Sequence, residues 1–319
     1  MDIKTQNLLR TLDTDKNGLT IKELKVLDSN KDGKLDNNDT GLKNTNHKDL
    51  NELNSKMSMG KAFTNFSILP MDNLIAYKSS ELNSRIFPGG VKEISPSDID
   101  QNGIGDCYYL SSLASLAQQR PQDIVNMIKD NGNGTCTVTF PQKNLGIKTP
   151  VKVTVSIPTD DEISKYEGAG KGSNGSIWGV IMEKAYVESH IFGKTEVESS
   201  GFMIGKGISD ITGNSTDVDY LGMTRDKTTR NKIEQKIKDN KIIVASTFGD
   251  GDKSKNISPS HVYSILAYDR ATDMVTVRNP WGTSGEPKDI QNNDGVKDGV
   301  FKLSLKEFND LFSLICYED

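Results

Sequence analysis

The chain is poor in the residues that cross-link, bind metal through nitrogen or read nucleic acid. Among its 319 residues are three cysteines and three histidines. Cys107, Cys136 and Cys316 are odd in number and widely spaced, which argues against a disulfide framework and suits a reducing compartment. Basic charge is not in excess, since 39 Lys and Arg against 44 Asp and Glu leave a net charge of -5. Nucleic acid is therefore an unsuitable partner, because phosphate neutralisation needs a basic face. Divalent cations suit this balance better. No apolar run approaches the roughly 20 residues that cross a bilayer. The opening MDIKTQNLLR lacks the charged-then-apolar order of a secretory signal. The expectation is a cytoplasmic protein, or one exported without a cleavable signal.

What is present divides by texture into three regions, a length that admits two domains or one with an appendage. Residues 1–45 are short, charged and rich in Asp-x-Asx patterns. Residues 46–85 alternate polar clusters with short apolar pieces and read as a linker or docking arm. Residues 86–319 alternate strands and helices. Leu110, Leu113, Ala114 and Ala117 fall on one helical stripe within 107–118. A second buried helix is expected from Trp178 to Ser189. Strands are expected at 135–140, 151–157, 241–247, 262–268, 274–278 and 300–303. The fold class is α+β, a helix-rich half (86–213) followed by a strand-rich half (214–319).

Chemistry concentrates at Gln101-Asn102-Gly103-Ile104-Gly105-Asp106-Cys107. The glycines allow a tight turn, Asp106 can cap, and an apolar-periodic helix begins at Cys107. A thiol at a helix N-terminus meets unpaired N–H groups and the macrodipole, both of which favour the thiolate. The Cys107 N–H and the Gln101 side-chain amide would supply two oxyanion donors. Gly105, beside them, and Trp281 are expected to touch substrate.

His261 opens an apolar strand and Asn279 follows the next one, 18 positions on, with a turn at 270–273 between. On an antiparallel hairpin the two sit side by side, Asn279 fixing one imidazole nitrogen and leaving the other for Cys107. Trp281 would shield that bond from water. Cys136 and Cys316 read as core residues, and His47 and His190 as solvated or capping ones.

These motifs resemble the calpain family of cysteine proteases. Gln101 to Tyr108 has the spacing of the calpain segment Gln-Gly-x-Leu-Gly-Asp-Cys-Trp. Trp178 with Glu183-Lys184-Ala185-Tyr186, Asp210-Ile211-Thr212-Gly213, His261-Val262-Tyr263-Ser264, Arg278-Asn279-Pro280-Trp281-Gly282 and Asp298-Gly299-Val300-Phe301 follow in the family's order. The resemblance implies a papain-like core: a helical subdomain carrying Cys107, an antiparallel-sheet subdomain carrying His261 and Asn279, and a cleft between them. It also implies calcium-driven alignment of the halves, with Trp281 as a wedge in the open form. Asn102 and Tyr108 replace the family's Gly and Trp. Asp98 stands where calpains place a calcium ligand, but Ser176 stands near the place of an expected carboxylate, which weighs against calcium control of the core. Asn292 to Asp298 reads as a solvated turn.

Calcium also enters through the first 45 residues. Asp28, Asn30, Asp32, Lys34 (through its carbonyl) and Asp39 fit a twelve-residue calcium loop, with Gly33 at the sharp turn and Leu35 at the apolar position. Asp39 is one methylene shorter than the usual Glu. Asp13, Asp15, Asn17 and Glu23 form a loop one residue short. The two loops leave room for one short shared helix, Ile21–Leu27, in a small EF-hand-like α-helical module. The function expected is a cysteine endopeptidase acting on protein substrates through a thioester, modulated by calcium. The alternatives are a non-catalytic calcium-binding scaffold and a papain-like acyltransferase.

Overall fold

The computed structural model describes residues 3–12, 19–57, 67–69, 85–141, 143–144, 147–148, 150–165, 169–172, 174–189, 204–224, 226–247, 257–282 and 298–319. The N-terminal segment consists of α1 (Ile3–Leu12), β1 (Leu19–Thr20), α2 (Ile21–Leu24) with a 3-10 turn to Leu27, the Asp-rich loop 28–39, and α3 (His47–Met57). The region expected as a linker thus contributes a helix, and also a strand, β2 (Ser67–Leu69).

Among the described residues no strand pair joins the two Asp-rich loops. Leu19 of β1 pairs with Leu69 of β2, and β2 in turn lies against the strand Val151–Ser156. Leu35 of the other loop has its N–H and C=O taken by the Asn54 side chain, at 2.8 and 2.7 Å. One amide thereby stands in for a strand partner. Asp13, Asp15 and Asn17 lie outside the described residues.

The helical half comprises α4 (Cys107–Gln119), α5 (Pro121–Met127), β3 (Ile128–Asp130), β4 (Thr135–Phe140), β5 (Lys143–Asn144), β6 (Ile147–Lys148), β7 (Val151–Ser156), α6 (Asp160–Lys165), α7 (Trp178–Glu188) and α8 (Ile204–Thr212). Strands β3, β4 and β7 make a three-stranded antiparallel sheet. The strand half holds β8 (Thr216–Tyr220), α9 (Asp226–Lys238), β9 (Ile243–Ser246), β10 (Val262–Asp269), β11 (Met274–Arg278), β12 (Val300–Ser304), α10 (Leu305–Leu311) and β13 (Leu314–Glu318). Its six strands run β12-β11-β10-β9-β13-β8, every pair antiparallel. One apolar core runs through the helical half and reaches Val244, Val262 and Leu314 of the sheet. A second lies on the sheet's other face, around Tyr263, Phe301 and Phe308.

Helix α4 is not amphipathic as the stripe at 110–117 suggests; every residue from Cys107 to Ala117 is buried. It runs between α8 and β10, so its polar stripe needs partners inside the protein. Ser111 donates to Val262 O at 2.7 Å, and Ser264 of β10 returns a bond to Ser111 O at 2.8 Å. Ser115 accepts from Ile243 N at 3.1 Å, and Gln119 donates to Leu266 O at 3.3 Å. Ser111, Ser115 and Gln119 are spaced by four, so they form one line along the helix.

The same two halves are tied again where α4 ends. Arg120 meets the fully buried Glu318 through two bonds of 2.8 and 3.0 Å, and Ile242 N and the Asn214 amide complete the carboxylate's shell. Burial works against ionisation of Glu318, but Arg120 and these donors outweigh it and hold the carboxyl below its usual range. That stability is present above the ordinary carboxylate pKa and is lost as pH falls through the lowered one. Arg120→Ala leaves Glu318 buried without its cation and is expected to lower unfolding free energy by about 3 kcal/mol or more, read from urea melts at pH 7.

Candidate active site

Cys107 is the first residue of α4, and the residue before it is the N-cap. The Asp106 carbonyl accepts from Tyr109 N and Leu110 N, at 2.8 and 3.1 Å. Its side chain does not cap the helix as expected. The carboxyl is instead buried, accepts from Gln101 Nε2 at 3.3 Å and faces Glu183. Burial and then the neighbouring Glu183 push Asp106 well above the usual carboxylate range. Two fully buried carboxyls side by side cannot both ionise, so this pair keeps a proton.

Gln101 also departs from expectation. Its amide nitrogen donates to Ile104 O at 2.6 Å and to Asp106, which commits both N–H bonds within the 101–106 turn. Its carbonyl oxygen has no partner among the described residues. The amide in this arrangement braces the turn; to serve an oxyanion it must exchange the Ile104 carbonyl for the new acceptor. Gly105 is exposed in the same turn.

His261 is 4 % exposed and is held by its backbone: its N–H donates to Thr247 Oγ1 at 3.1 Å, and its carbonyl accepts from Thr247 N at 3.0 Å. Ser260, just before it, takes φ 46, a left-handed turn that starts the strand at the ring. The imidazole Nε2 lies 2.9 Å from Asn279 Oδ1, which also accepts from Trp281 N at 3.1 Å. Since Oδ1 only accepts, the proton belongs on Nε2 and Nδ1 is the free lone pair. The Trp281 ring covers the imidazole, with centroids 4.4 Å apart. Val262, the residue after His261, presents its backbone N–H to the Cys107 sulfur. The structure therefore brings Cys107, His261, Asn279 and Trp281 to one seam between α4 and β10.

The electrostatics correct one expectation. The helix start was expected to lower the thiol pKa. Burial instead pushes Cys107 up to about 11, and Asp106 adds to the rise; the N–H groups of Val262, Tyr108 and Cys107 offset only part of it. Burial likewise draws His261 down to about 4, against the Asn279 hydrogen bond. Both groups are uncharged at neutral pH.

Of the expected calcium ligands, the described ones are turned onto their own backbone. Asp28 accepts from Asp32 N and Gly33 N, at 3.2 and 3.0 Å, and Asp32 accepts from Lys34 N at 2.9 Å. Asn30 Oδ1 accepts from Asp32 N at 3.0 Å. Asp39 is buried, with Oδ1 on Ser29 N and Oδ2 on Asp36 N, and Glu23 forms a capping box with Thr20. Among the described residues no group of three or more His, Cys, Asp or Glu stands ready to hold a metal ion. The donor chemistry still suits a hard cation: Asp28, Asn30 and Asp32 offer oxygens around Gly33, which takes φ 83 at the turn. In the protease-like core, Asp98 spends one oxygen on Trp178 Nε1 at 2.8 Å.

Sequence reasoning missed the α4 serines, Thr247 and Arg278. Their signals were present as a polar line at helical spacing, a Thr closing a strand, and a charged residue ending an apolar strand.

A cysteine thus opens a buried helix beside Val262, and the neighbouring His261 is bonded to the Asn279 carboxamide across an antiparallel sheet. Residues 77–294 match the calpain family cysteine protease domain, and the chain belongs to that family. It is similar to the calpain-type cysteine protease DEK1 of Arabidopsis thaliana, 26 % identical over 76 % of this chain and 12 % of that protein. It is also similar to DEK1 of Zea mays, 27 % identical over 72 % of this chain and 12 % of the relative. Human Calpain-14 is 24 % identical over 68 % of this chain and 35 % of its own length. The match thus spans about an eighth to a third of these curated relatives.

A neutral buried His261 carries a pH signature. Its folded pKa lies below its ordinary value, so the unfolded chain takes the proton first. The stability it contributes is complete above about pH 6.5 and is lost as pH falls towards 4. Wild type is expected to lose about 3 kcal/mol more than His261→Gln between pH 7 and pH 4, compared by urea unfolding at each pH.

Proposed function

We propose that the protein is a cysteine endopeptidase that hydrolyses peptide bonds in protein substrates through a thioester. The observation that carries this reading is the His261–Asn279 bond at 2.9 Å, set at the seam where Val262 N–H meets the Cys107 sulfur. In the proposed mechanism His261 Nδ1 takes the Cys107 proton as the sulfur attacks the scissile carbonyl. The same imidazolium protonates the leaving amine, and a water activated by His261 releases the acyl group. Asn279 keeps the imidazole in the Nε2–H tautomer. The Cys107 N–H at the helix start, with the Gln101 amide once it leaves Ile104 O, receives the oxyanion. Gly105 and Trp281 border the substrate.

The chemistry asks the thiol to lose a proton that burial retains, so substrate binding has to bring the pair to reactive values. Cys107→Ala is expected to abolish casein cleavage while leaving the circular dichroism spectrum unchanged; proteolysis that persists in this variant would refute the assignment. Iodoacetamide labelling of Cys107 in the free protein should rise through pH 9 to 11, following the raised thiol pKa. A labelling rate already flat above pH 6 would mean that a thiolate pre-exists.

We further propose that calcium binds the Asp28–Asp39 loop and modulates activity from there. Asp28, Asn30, Asp32, the Lys34 carbonyl and Asp39 would hold the ion, and the first loop, with Asp13, Asp15, Asn17 and Glu23, would hold a second. Bound calcium would supply the charge that draws these oxygens off their backbone donors. Calorimetry should detect calcium binding that Asp28→Asn with Asp32→Asn removes, whatever happens to catalysis. Heats indistinguishable from dilution in the wild type would dismiss the site.

A further inference from the structure

Arg278 is the last residue of β11 and the immediate neighbour of Asn279, yet it is 1 % exposed. A guanidinium is seldom buried in this way without anionic company. Its Nη2 donates to Ile99 O, on the loop that leads to Gln101 and Cys107. The carboxylates of Asp98 and Asp100 from that loop, and of Asp298 from the strand half, lie close enough to attract it. Asp98 is buried, and Asp100 and Asp298 are half-buried.

The backbone around this cation stitches the same two segments together. Gln101 N donates to Pro280 O at 2.8 Å, which joins them, and within the strand half Asn279 N donates to Gly299 O at 3.0 Å. Gly282, at φ 56, comes so near that a Cβ built on it would stand 2.8 Å from Asp100 Oδ1 and 3.8 Å from Arg278 Nη2. Two guanidinium nitrogens, Nε and Nη1, have no hydrogen-bond partner among the described residues. The attachment therefore works through charge and one carbonyl bond rather than a full fork of bonds.

We propose that Arg278 is a positioning residue, a cation fixed at the end of the strand that leads to Asn279, which holds the His261–Asn279 half in register with the Cys107 half through Ile99, Asp98 and Asp100. The proposal rests on the cysteine-protease reading of Cys107, His261 and Asn279. Arg278 keeps its charge at neutral pH, because burial lowers its pKa only to about 10 against the support of the three carboxylates. A side chain of the chain itself thus helps to set the register of the halves.

The test measures kcat and KM separately on a fluorogenic peptide that the wild type cleaves, for Arg278→Met, Arg278→Lys and Asp100→Asn. Misplacing reacting groups by about 1 Å costs on the order of 100-fold, so Arg278→Met should lose about that factor in kcat with KM within about threefold of wild type. Arg278→Lys, which keeps a charge and a donor, should recover at least tenfold of the loss. Chelator should not change the kcat ratio between wild type and Arg278→Met. A kcat for Arg278→Met within threefold of wild type overturns the proposal, as does a lysine variant no better than the methionine one. If Arg278→Met fails to fold by circular dichroism, Asp100→Asn decides: a kcat lowered threefold or more at unchanged KM supports the role, and an unchanged kcat rejects it. Cleavage that survives Cys107→Ala overturns the protease reading itself, and this proposal with it, whatever the Arg278 variants do.

Discussion

The bond pair between Ser111 and strand β10 is the constraint on which the rest of the site depends. Ser111 donates to Val262 O, and Ser264 donates back to Ser111 O. All these groups are buried, so each would carry a desolvation cost if its partner moved away. A one-residue slip of β10 along the helix would break both bonds and turn the strand's inward side chains outward. Cys107 sits one helical turn before Ser111, and His261 sits one residue before Val262. The register that satisfies the serine therefore also brings the thiol and the imidazole to the same seam.

That register is held at three heights along α4. Asp98, Ile99 and Asp100 meet Arg278 before the helix begins. The serine line runs through its middle, and the Arg120–Glu318 pair closes its end. The upper and lower ties involve buried charge, which is costly to assemble and more costly to leave half-made. Such ties favour one arrangement of the two halves over near alternatives. In this geometry the two halves are in contact through all three ties.

Much of the frame was legible in the sequence because local signals and tertiary packing agreed there. Strand β11 has the bounds its alternation predicts, Met274–Arg278, and the helix opened by Cys107 starts where the Gly-x-Gly-Asp turn predicts. The His261–Asn279 pair was readable because hairpin spacing leaves few choices for residues flanking one turn. What stayed hidden were features decided by long-range contact. Nothing local shows that Asp106 turns from its helix to Gln101 and Glu183, or that Arg278 looks inward. The partners of the N-terminal segment are likewise set at a distance: strand β2 takes Leu19, and the Asn54 amide takes Leu35.

The thiol at the helix start also shows how far a local rule reaches. A helix N-terminus and three nearby N–H groups do favour the Cys107 thiolate, as the motif suggests. Burial acts on the same atom and wins, because the helix is enclosed on all sides rather than opening onto water. The same enclosure strips His261 of its proton. Each unit of pKa mismatch costs about 1.4 kcal/mol, so a thiol near 11 and an imidazole near 4 keep the proton on sulfur in this geometry. Gln101 points the same way, its amide braced against Ile104 O instead of offered to an oxyanion. On the proposed mechanism, a substrate would draw the amide off Ile104 and offer the sulfur a carbonyl carbon at the same time. The packing that aligns the two groups is thus the packing that keeps both uncharged.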